Sequence, residues 1–258
     1  MFGLIKEQNR WDFAAFGKHP LTGDYLSLGS TTPLLTGFSL WMEQGFSRLP
    51  REKRAYTDLF WRFWAKGPNS KLVLGILKSS TDKLGREYPL LIIGEGKALD
   101  MAANWDLIPF ACEKTWRFLE KVSLKKWATI EKFNQGLMKI RGPKDTWTAF
   151  LEKKQRIQSI ELSPHRNENY SDFMNKMNNV DGLTRLDRFS IRIDVGQPND
   201  YIIPVVKLLT LLKHRSKTEP GTVFIGGGGD VKQMRYLKQS PVTDDFIFLW
   251  HTVLDKED

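Results

Sequence analysis

The segment FGKHPLTGDYLSLG, residues 16–29, combines residue types that could bind phosphate. A glycine-lysine pair belongs to a phosphate-binding loop when another glycine stands five residues earlier and Ser or Thr follows the lysine. Asp12 and His19 occupy those two positions here, so the sequence excludes such a loop. We predict a turn instead: Gly17 ends a strand, PLTGD supplies proline-to-glycine turn chemistry, and the Asp24 carboxylate can accept backbone hydrogen bonds.

A second charged segment, SSTDKLGREYP at residues 79–89, lies between two apolar runs. It could be a solvated hairpin loop in which the Leu-Gly pair forms the turn. Alternatively, Asp82 and Arg86 could form a charged pair close to Lys18 and Asp24. The local sequence leaves both interpretations open.

Four consecutive glycines, residues 226–229, follow a predicted strand. A strand, glycines and then a helix is the arrangement that binds an anion at a helix N-terminus. The dinucleotide fingerprint would need a further glycine where Val231 stands, and Asp230 at the helix N-cap would repel a phosphate. We therefore predict a mobile loop.

Other catalytic and metal-binding patterns are absent from the sequence. Cys112 is the only cysteine, which excludes an internal disulfide, and we predict that it is a small core residue. The four histidines are too scattered for a metal-ligand motif, and the HExxH and GxSxG signatures do not occur. Asp244 and Asp245 are adjacent, so they would point in different directions and make a poor acid-base pair. We predict no metal and no cofactor.

The chain of 258 residues carries a net charge of +9, from 39 Lys and Arg against 30 Asp and Glu. These charges are scattered, and the densest groups, residues 121–126 and 213–217, fall at predicted helix ends, where cations favour the helix dipole. We therefore predict no nucleic-acid partner. The N-terminus becomes charged after five residues, unlike a signal peptide, and the apolar run at residues 201–212 is too short to cross a bilayer. A cytoplasmic protein without membrane insertion is expected.

The elements that must position these residues follow from apolar periodicity. Strands are predicted at residues 11–16, 59–65, 71–77, 88–93, 189–195 and 222–225. Helices are predicted at residues 35–49, 105–122, 145–160, within 170–177, and at 204–214, and a loop at 163–169. Because strands and helices interleave, the predicted fold class is α/β: a mixed β-sheet flanked by helices, layered as α/β/α, in a single domain over residues 1–258.

Two of these segments together resemble one protein family. FGKHPLTGDY is similar to the family pattern G-K-x-P-x-x-G-D-[FY], and GILKSSTDKLGREYPLLI to its second pattern, G-V-x-x-S-x-D-x-x-G-R-x-[FY]-P-L. The family is TagF, also called ImpM, whose members are associated with type VI secretion in Gram-negative bacteria. The resemblance is best over residues 13–93. His19 stands where members often have leucine, and glycines 226–229 replace a more aromatic stretch.

The resemblance marks ten positions as candidates for partner binding or for a structural motif. They are Gly17, Lys18, Pro20, Gly23 and Asp24 in the first segment, and Ser80, Asp82, Gly85, Arg86 and Pro89 in the second. The glycines and prolines fix turns. For the polar residues, we predict that the two loops meet at one end of the sheet, where Asp24 or Asp82 pairs with Arg86 or Lys18.

The resemblance implies a cytoplasmic regulator and no enzymatic activity. It implies a post-translational repressor of type VI secretion that acts by protein–protein interaction with the forkhead-associated (FHA) scaffold protein of the system; the oligomeric state stays open. An alternative is an anion- or nucleotide-binding enzyme that handles phosphoryl groups with Lys18, Arg86 and glycines 226–229. That alternative predicts a concave pocket where the three groups converge.

Overall fold

The structure is a computed structural model that describes residues 11–54, 58–98, 100–144, 146–158, 175, 178–193, 201–216, 218–229 and 231–251. Its strands are β1 (Trp11–Gly17), β2 (Leu26–Gly29), β3 (Leu59–Lys66), β4 (Lys71–Thr81), β5 (Glu87–Lys97), β6 (Arg188–Arg192), β7 (Thr222–Gly228) and β8 (Gln233–Leu237). Its helices are α1 (Pro33–Arg48), α2 (Ile108–Leu124), α3 (Ile130–Met138), α4 (Trp147–Gln158), α5 (Val180–Leu183), α6 (Ile202–Arg215) and α7 (Thr243–His251).

The described strands form one sheet in the order β2-β1-β5-β4-β3-β7-β8-β6. Every described pairing is antiparallel. The predicted layering of a sheet between helices is confirmed. The pairing is antiparallel where a mixed sheet was expected, because strands that follow each other in the chain, such as β3 and β4, join through hairpins and not through helical crossovers.

Helices α1 and α7 cover one face of the sheet. α1 begins where the Thr32 hydroxyl oxygen accepts a hydrogen bond from the Leu35 backbone N–H at 3.3 Å, and it ends at Arg48, before the proline that predicted its end. Aromatic side chains from both helices and from the sheet fill this layer: Trp41, Phe63, Phe224, Phe246 and Trp250. Their rings lie 5.4–5.7 Å apart in several edge and stacked pairs, which fixes α1 against α7.

Helices α2, α3 and α6 pack on the opposite face. The alternation along β1 sends Phe13 and Ala15 to this layer and Ala14 and Phe16 to the other. The fully buried Trp116 of α2 donates its indole N–H to a carbonyl of β3 at 3.2 Å, so helix and sheet are joined by a hydrogen bond as well as by apolar contact. Both faces of the central strands are therefore covered, as the continuous apolar run in β5 predicts.

The structure corrects the prediction for the glycines at 226–229. Residues 226–228 belong to β7 and pair with β3, while Gly229 adopts a φ of 55° in the turn that leads to β8. The anion-site layout required the segment that follows to be helical, but residues 233–237 form strand β8, so the glycines lead into a strand and not into a helix. A hydrogen-bonded hairpin replaces the predicted mobile loop.

Four further elements were not predicted from the sequence: β2, α3, α5 and α7. The loop predicted at residues 163–169 lies outside the described residues, as do Asp230 and, apart from residue 175, the helix predicted within 170–177. In the described ranges, no helix combines the length and the apolar character that crossing a bilayer requires.

Candidate functional site: the two-turn corner

Two turns meet at one end of the sheet and form what we call the two-turn corner, residues 17–25 and 80–89. β1 ends at Gly17, which pairs with the start of β5, and β4 turns into β5 at the same end. Gly17 has a φ of 109°, and a Cβ there would lie 2.0 Å from the carbonyl oxygen of Pro89. The next residue, Lys18, donates its backbone N–H to that same oxygen at 3.2 Å. The first motif glycine therefore allows β1 to approach β5 closely where the turn begins.

The second turn is organised around the carboxylate of Asp82. Its Oδ1 accepts backbone hydrogen bonds from Leu84 at 2.9 Å and from Arg86 at 3.0 Å. The Asp82 backbone N–H in turn donates to the Arg86 carbonyl at 3.1 Å. Gly85 has a φ of 77°, a left-handed conformation that glycine adopts without strain. The spacing D-x-x-G-R therefore forms a tight turn in which the Asp82 side chain accepts the backbone hydrogen bonds.

The other oxygen of Asp82 holds two cations. Lys18 Nζ lies 3.0 Å and Arg86 Nε 2.7 Å from Asp82 Oδ2. The Asp82 side chain is completely inaccessible and that of Lys18 is 8% exposed, whereas the Arg86 side chain is 54% exposed. The carboxylate therefore receives four donors, two backbone and two charged, and the Lys18–Asp82 pair is shielded from solvent.

Direct bonds also join the two turns. The Lys83 backbone N–H donates to the Thr22 carbonyl at 2.7 Å, and the Arg86 guanidinium donates to the Gly23 carbonyl. The predicted meeting of the loops, with Asp82 paired to Lys18 and Arg86, is present in the structure. Asp24 does not share this role: its exposed carboxylate accepts a hydrogen bond from the Tyr25 backbone N–H at 2.8 Å.

The remaining marked positions have backbone roles. Ser80 and Pro89 stand in the β4–β5 ladder, where Ser80 pairs with Tyr88. Pro20 is exposed in the first turn. His19, the departure from the family pattern, is buried, and its ring stacks on Phe133 of α3 with centroids 4.8 Å apart.

Two exposed apolar side chains of the corner were not among the sequence candidates. Tyr25 is 59% and Leu84 71% exposed. The Tyr25 ring packs edge-on against the buried Tyr88 at 4.5 Å, and Lys18 Nζ lies 5.4 Å from the Tyr25 centroid. The aromatic position that ends the first motif was the available sequence signal for Tyr25. The sequence contains no signal for Leu84, because its exposure next to Arg86 is apparent only from the fold.

The electrostatics of Asp82 follow from its contacts. Burial alone would raise the pKa of this carboxyl group. Hydrogen bonds from the Arg86 backbone, the Lys18 and Arg86 side chains and the Leu84 backbone outweigh that effect and hold the pKa well below its ordinary value of 3.8. Asp82 is therefore ionised at all physiological pH values and cannot exchange protons there.

This lowered pKa makes stability sensitive to acid. The pKa of the Asp82 carboxyl group is lower in the folded chain than its unfolded value of 3.8. Such a group stabilises the folded state fully at pH values above the unfolded pKa, and this stabilisation is lost as the pH falls below 3.8 towards the folded pKa. We expect the difference in unfolding midpoint between the wild type and Asp82→Asn to shrink below about pH 4, since asparagine does not titrate. Circular dichroism melts at several pH values measure it. Asp106, whose pKa is also lowered, affects both proteins alike, so a constant difference would contradict the prediction.

The structure does not bring together the groups that the enzymatic alternative needs. Glycines 226–228 lie on β7, four strand positions from β1, which is about 19 Å at the usual strand spacing. The Lys18 ammonium group forms a buried ion pair with Asp82 and is not exposed at the surface of the corner. The pocket predicted where Lys18, Arg86 and the glycines converge is therefore not formed.

The described part of the chain contains neither a cluster of metal ligands nor an accessible thiol. Across those residues, no group of three or more His, Cys, Asp or Glu side chains could hold a metal ion. Cys112 is fully buried in α2, and burial raises the pKa of its thiol.

Comparison with known proteins adds two similarities. Residues 14–140 match a family model described as the TagF N-terminal domain, type VI secretion system-associated. The crystal structure of PA0076 from Pseudomonas aeruginosa is similar over 92% of this chain and 93% of its own, at 17% sequence identity and a TM-score of 0.45. No curated protein matches the chain.

Proposed function

Residues 14–140 belong to the TagF family of type VI secretion-associated proteins, and from that premise we propose that the chain is a regulator which acts by binding another protein. In this proposal it resides in the cytoplasm, has no enzymatic activity, and represses the secretion apparatus after translation. Its partner is the FHA scaffold protein, as the resemblance of the two motifs implies.

One observation carries the proposal: the family motifs build a hydrogen-bonded corner that exposes apolar and cationic side chains beside the carboxylate of Asp24. Tyr25, Leu84 and the Arg86 guanidinium project outward, and each is held at its base by Tyr88 or by the Asp82 turn. Tyrosine and arginine are enriched at the centres of protein interfaces. A side chain that is already fixed loses little conformational freedom on binding, which favours affinity.

The corner is better suited to docking than to catalysis. A general acid or base works best with a pKa near the operating pH. The pKa of Asp82 is far below that range, and both of its oxygens are saturated by donors from within the chain. The charged and hydrogen-bonding groups of the turn thus hold the surface in shape.

Binding of the purified FHA scaffold from the same organism tests this function. We expect Tyr25→Ala/Leu84→Ala to bind at least about tenfold more weakly than the wild type, because both side chains contribute exposed apolar area on a fixed base. The matched control is Leu186→Ala/Leu211→Ala, which removes two exposed apolar side chains elsewhere, at 47% and 36% exposure. Affinity is measured by biolayer interferometry, and secretion of a type VI substrate is measured in cells that overproduce each variant.

Two results would contradict the proposal. One is failure of the wild type to bind the scaffold; the other is binding and repression by the corner variant equal to those of the wild type. Thermal stabilisation of the purified chain by ATP or GTP would instead favour the enzymatic alternative.

A further inference from the structure

The positive charge of the chain is concentrated on α2, α3 and the segment that follows them. Residues 108–144 contain nine Lys and Arg and three Glu, so one seventh of the chain carries +6 of the net +9. The sequence pattern attributes such cations to helix ends. The fold instead places them together on the α2 face of the sheet, where the surface borders the two-turn corner at Pro20, Leu21 and Thr81.

Three adjoining cavities follow this basic surface, and we call them together the basic groove. The first, about 500 Å³, lies between the end of β4 and the end of α2; the second, about 360 Å³, lies between α2 and α3; the third, about 480 Å³, continues beside α4. Lys125 and Trp127 line both the first and the second, and Phe118 and Lys139 both the second and the third. The shared side chains place the three cavities next to one another along the surface.

Most of the cations that line the groove form no described ion pair with a carboxylate. Within the described ranges, none of six lysines that line it forms an ion pair: Lys121, Lys125, Lys126, Lys132, Lys139 and Lys144. Glu113 and its partner Lys153 both line the third cavity, and Glu113 also pairs with Arg117. Glu120 pairs with Arg62. Lysine and arginine side chains greatly outnumber Glu87 and Glu113, the carboxylates that line the groove, so the groove presents a net positive potential.

The groove also exposes apolar side chains. Phe118 is 40% and Leu124 70% exposed. Trp127 is partly buried in the floor, and Lys125 Nζ lies 4.2 Å above its ring. Cations thus alternate with apolar positions along a concave surface between two helices, which is the usual receptor for an amphipathic helix.

We propose that the basic groove binds an acidic, amphipathic segment of a partner protein, with the carboxylates of the segment on the lysines and its apolar residues on Phe118 and Trp127. A protein segment supplies both kinds of group. A flat bilayer does not reach the concave floor, and a polynucleotide has no aliphatic side chains to contact Leu124. The groove borders the corner, but its variants change Phe118 and the lysines, whereas the corner variant changes Tyr25 and Leu84. Failure of one proposal is therefore distinguishable from failure of the other.

Fluorescence anisotropy of labelled probes with the full chain tests the groove. The probe is a peptide of about four helical turns in which Leu recurs at helical spacing among Glu residues; in a second peptide of equal charge, Ser replaces each Leu. We expect the Leu peptide to bind at least about tenfold more tightly than the Ser peptide at about 0.15 M salt. Phe118→Ser, which changes no charge, should remove most of that preference.

Charge reversal tests the lysines. Lys121→Glu/Lys125→Glu/Lys132→Glu should weaken binding of the Leu peptide by at least about tenfold. Arg51→Glu/Lys53→Glu/Lys97→Glu changes the net charge equally at exposed positions outside the groove, and it should alter binding by less than about threefold. Thermal melts establish that each variant is folded.

Three outcomes would overturn the proposal. They are equal weakening by the two triple variants, equal binding of the Leu and Ser peptides, and tighter groove-dependent binding of an RNA oligomer or of phosphatidylserine vesicles than of the Leu peptide.

Discussion

Asp82→Asn is expected to lower the midpoint of thermal unfolding by on the order of 10 °C at neutral pH. The substitution removes the negative charge that compensates Lys18, whose side chain is only 8% exposed, and weakens the bond to Arg86. A buried cation left without its counterion costs far more than a surface ion pair contributes. Calorimetry or circular dichroism measures the shift, and Asp82→Ala should be worse because it also removes the acceptor for the Leu84 and Arg86 backbone.

Asp24→Asn is the matched control for this prediction. Asp24 follows a motif glycine, carries the same charge and is exposed, and asparagine keeps an oxygen for the Tyr25 N–H. Its midpoint should stay within about 2 °C of the wild type. Equal shifts for the two asparagine variants would show that the Lys18–Asp82 pair does not hold the corner.

Gly17→Ala is expected to destabilise the fold by about 3 kcal/mol or more. The added Cβ would meet the Pro89 carbonyl oxygen at 2.0 Å, and a φ of 109° is strained for any residue with a side chain. That oxygen accepts the Lys18 backbone hydrogen bond, so relief of the clash would separate the strands that carry the corner. Denaturant titration gives the free energy of unfolding.

Gly23→Ala provides the comparison within the same motif. A Cβ at Gly23 would have no heavy atom within 4 Å, so the free energy of unfolding should change by less than about 1 kcal/mol in either direction. If both alanine variants were equally tolerated, the close approach of β1 to β5 would not be what fixes a glycine at position 17.

The central hairpins could be predicted from the sequence because local chemistry determines them. GPNS joins β3 and β4, and Asn69 and Ser70 adopt φ values of 54° and 57° there, a conformation that asparagine tolerates well. The long apolar helices α1 and α2 likewise follow from apolar residues spaced three and four apart.

The C-terminal hairpin could not be predicted, because its structure depends on distant partners. Glycines usually interrupt strands. Residues 226–228 nevertheless continue β7, because they pair with β3 in the sheet. β3 also approaches them closely: a Cβ on Gly226 would lie 2.2 Å from the Phe60 carbonyl oxygen. Strand β8 then pairs with both β7 and β6.

The corner was predictable in outline only. The D-x-x-G-R spacing and the two glycine-containing turns suggested a charged pair. Which aspartate would be buried depends on the direction of each carboxylate relative to the sheet, and neither Asp24 nor Asp82 reveals it from its neighbours in the chain. The basic groove was missed for the same reason, since its lysines belong to separate helices that only packing brings together.

The position of β3 between β4 and β7 has a practical consequence for truncation. A fragment ending at residue 140, where the family match stops, would retain β4 but lose β7, leaving a row of unpaired backbone groups along the middle of the sheet. Trp41 would also lose the rings of Phe224 and Phe246 that lie 5.7 and 5.4 Å away. Such a fragment should aggregate through that open edge, so the boundary of the sequence family is not a boundary at which to cut the gene for expression.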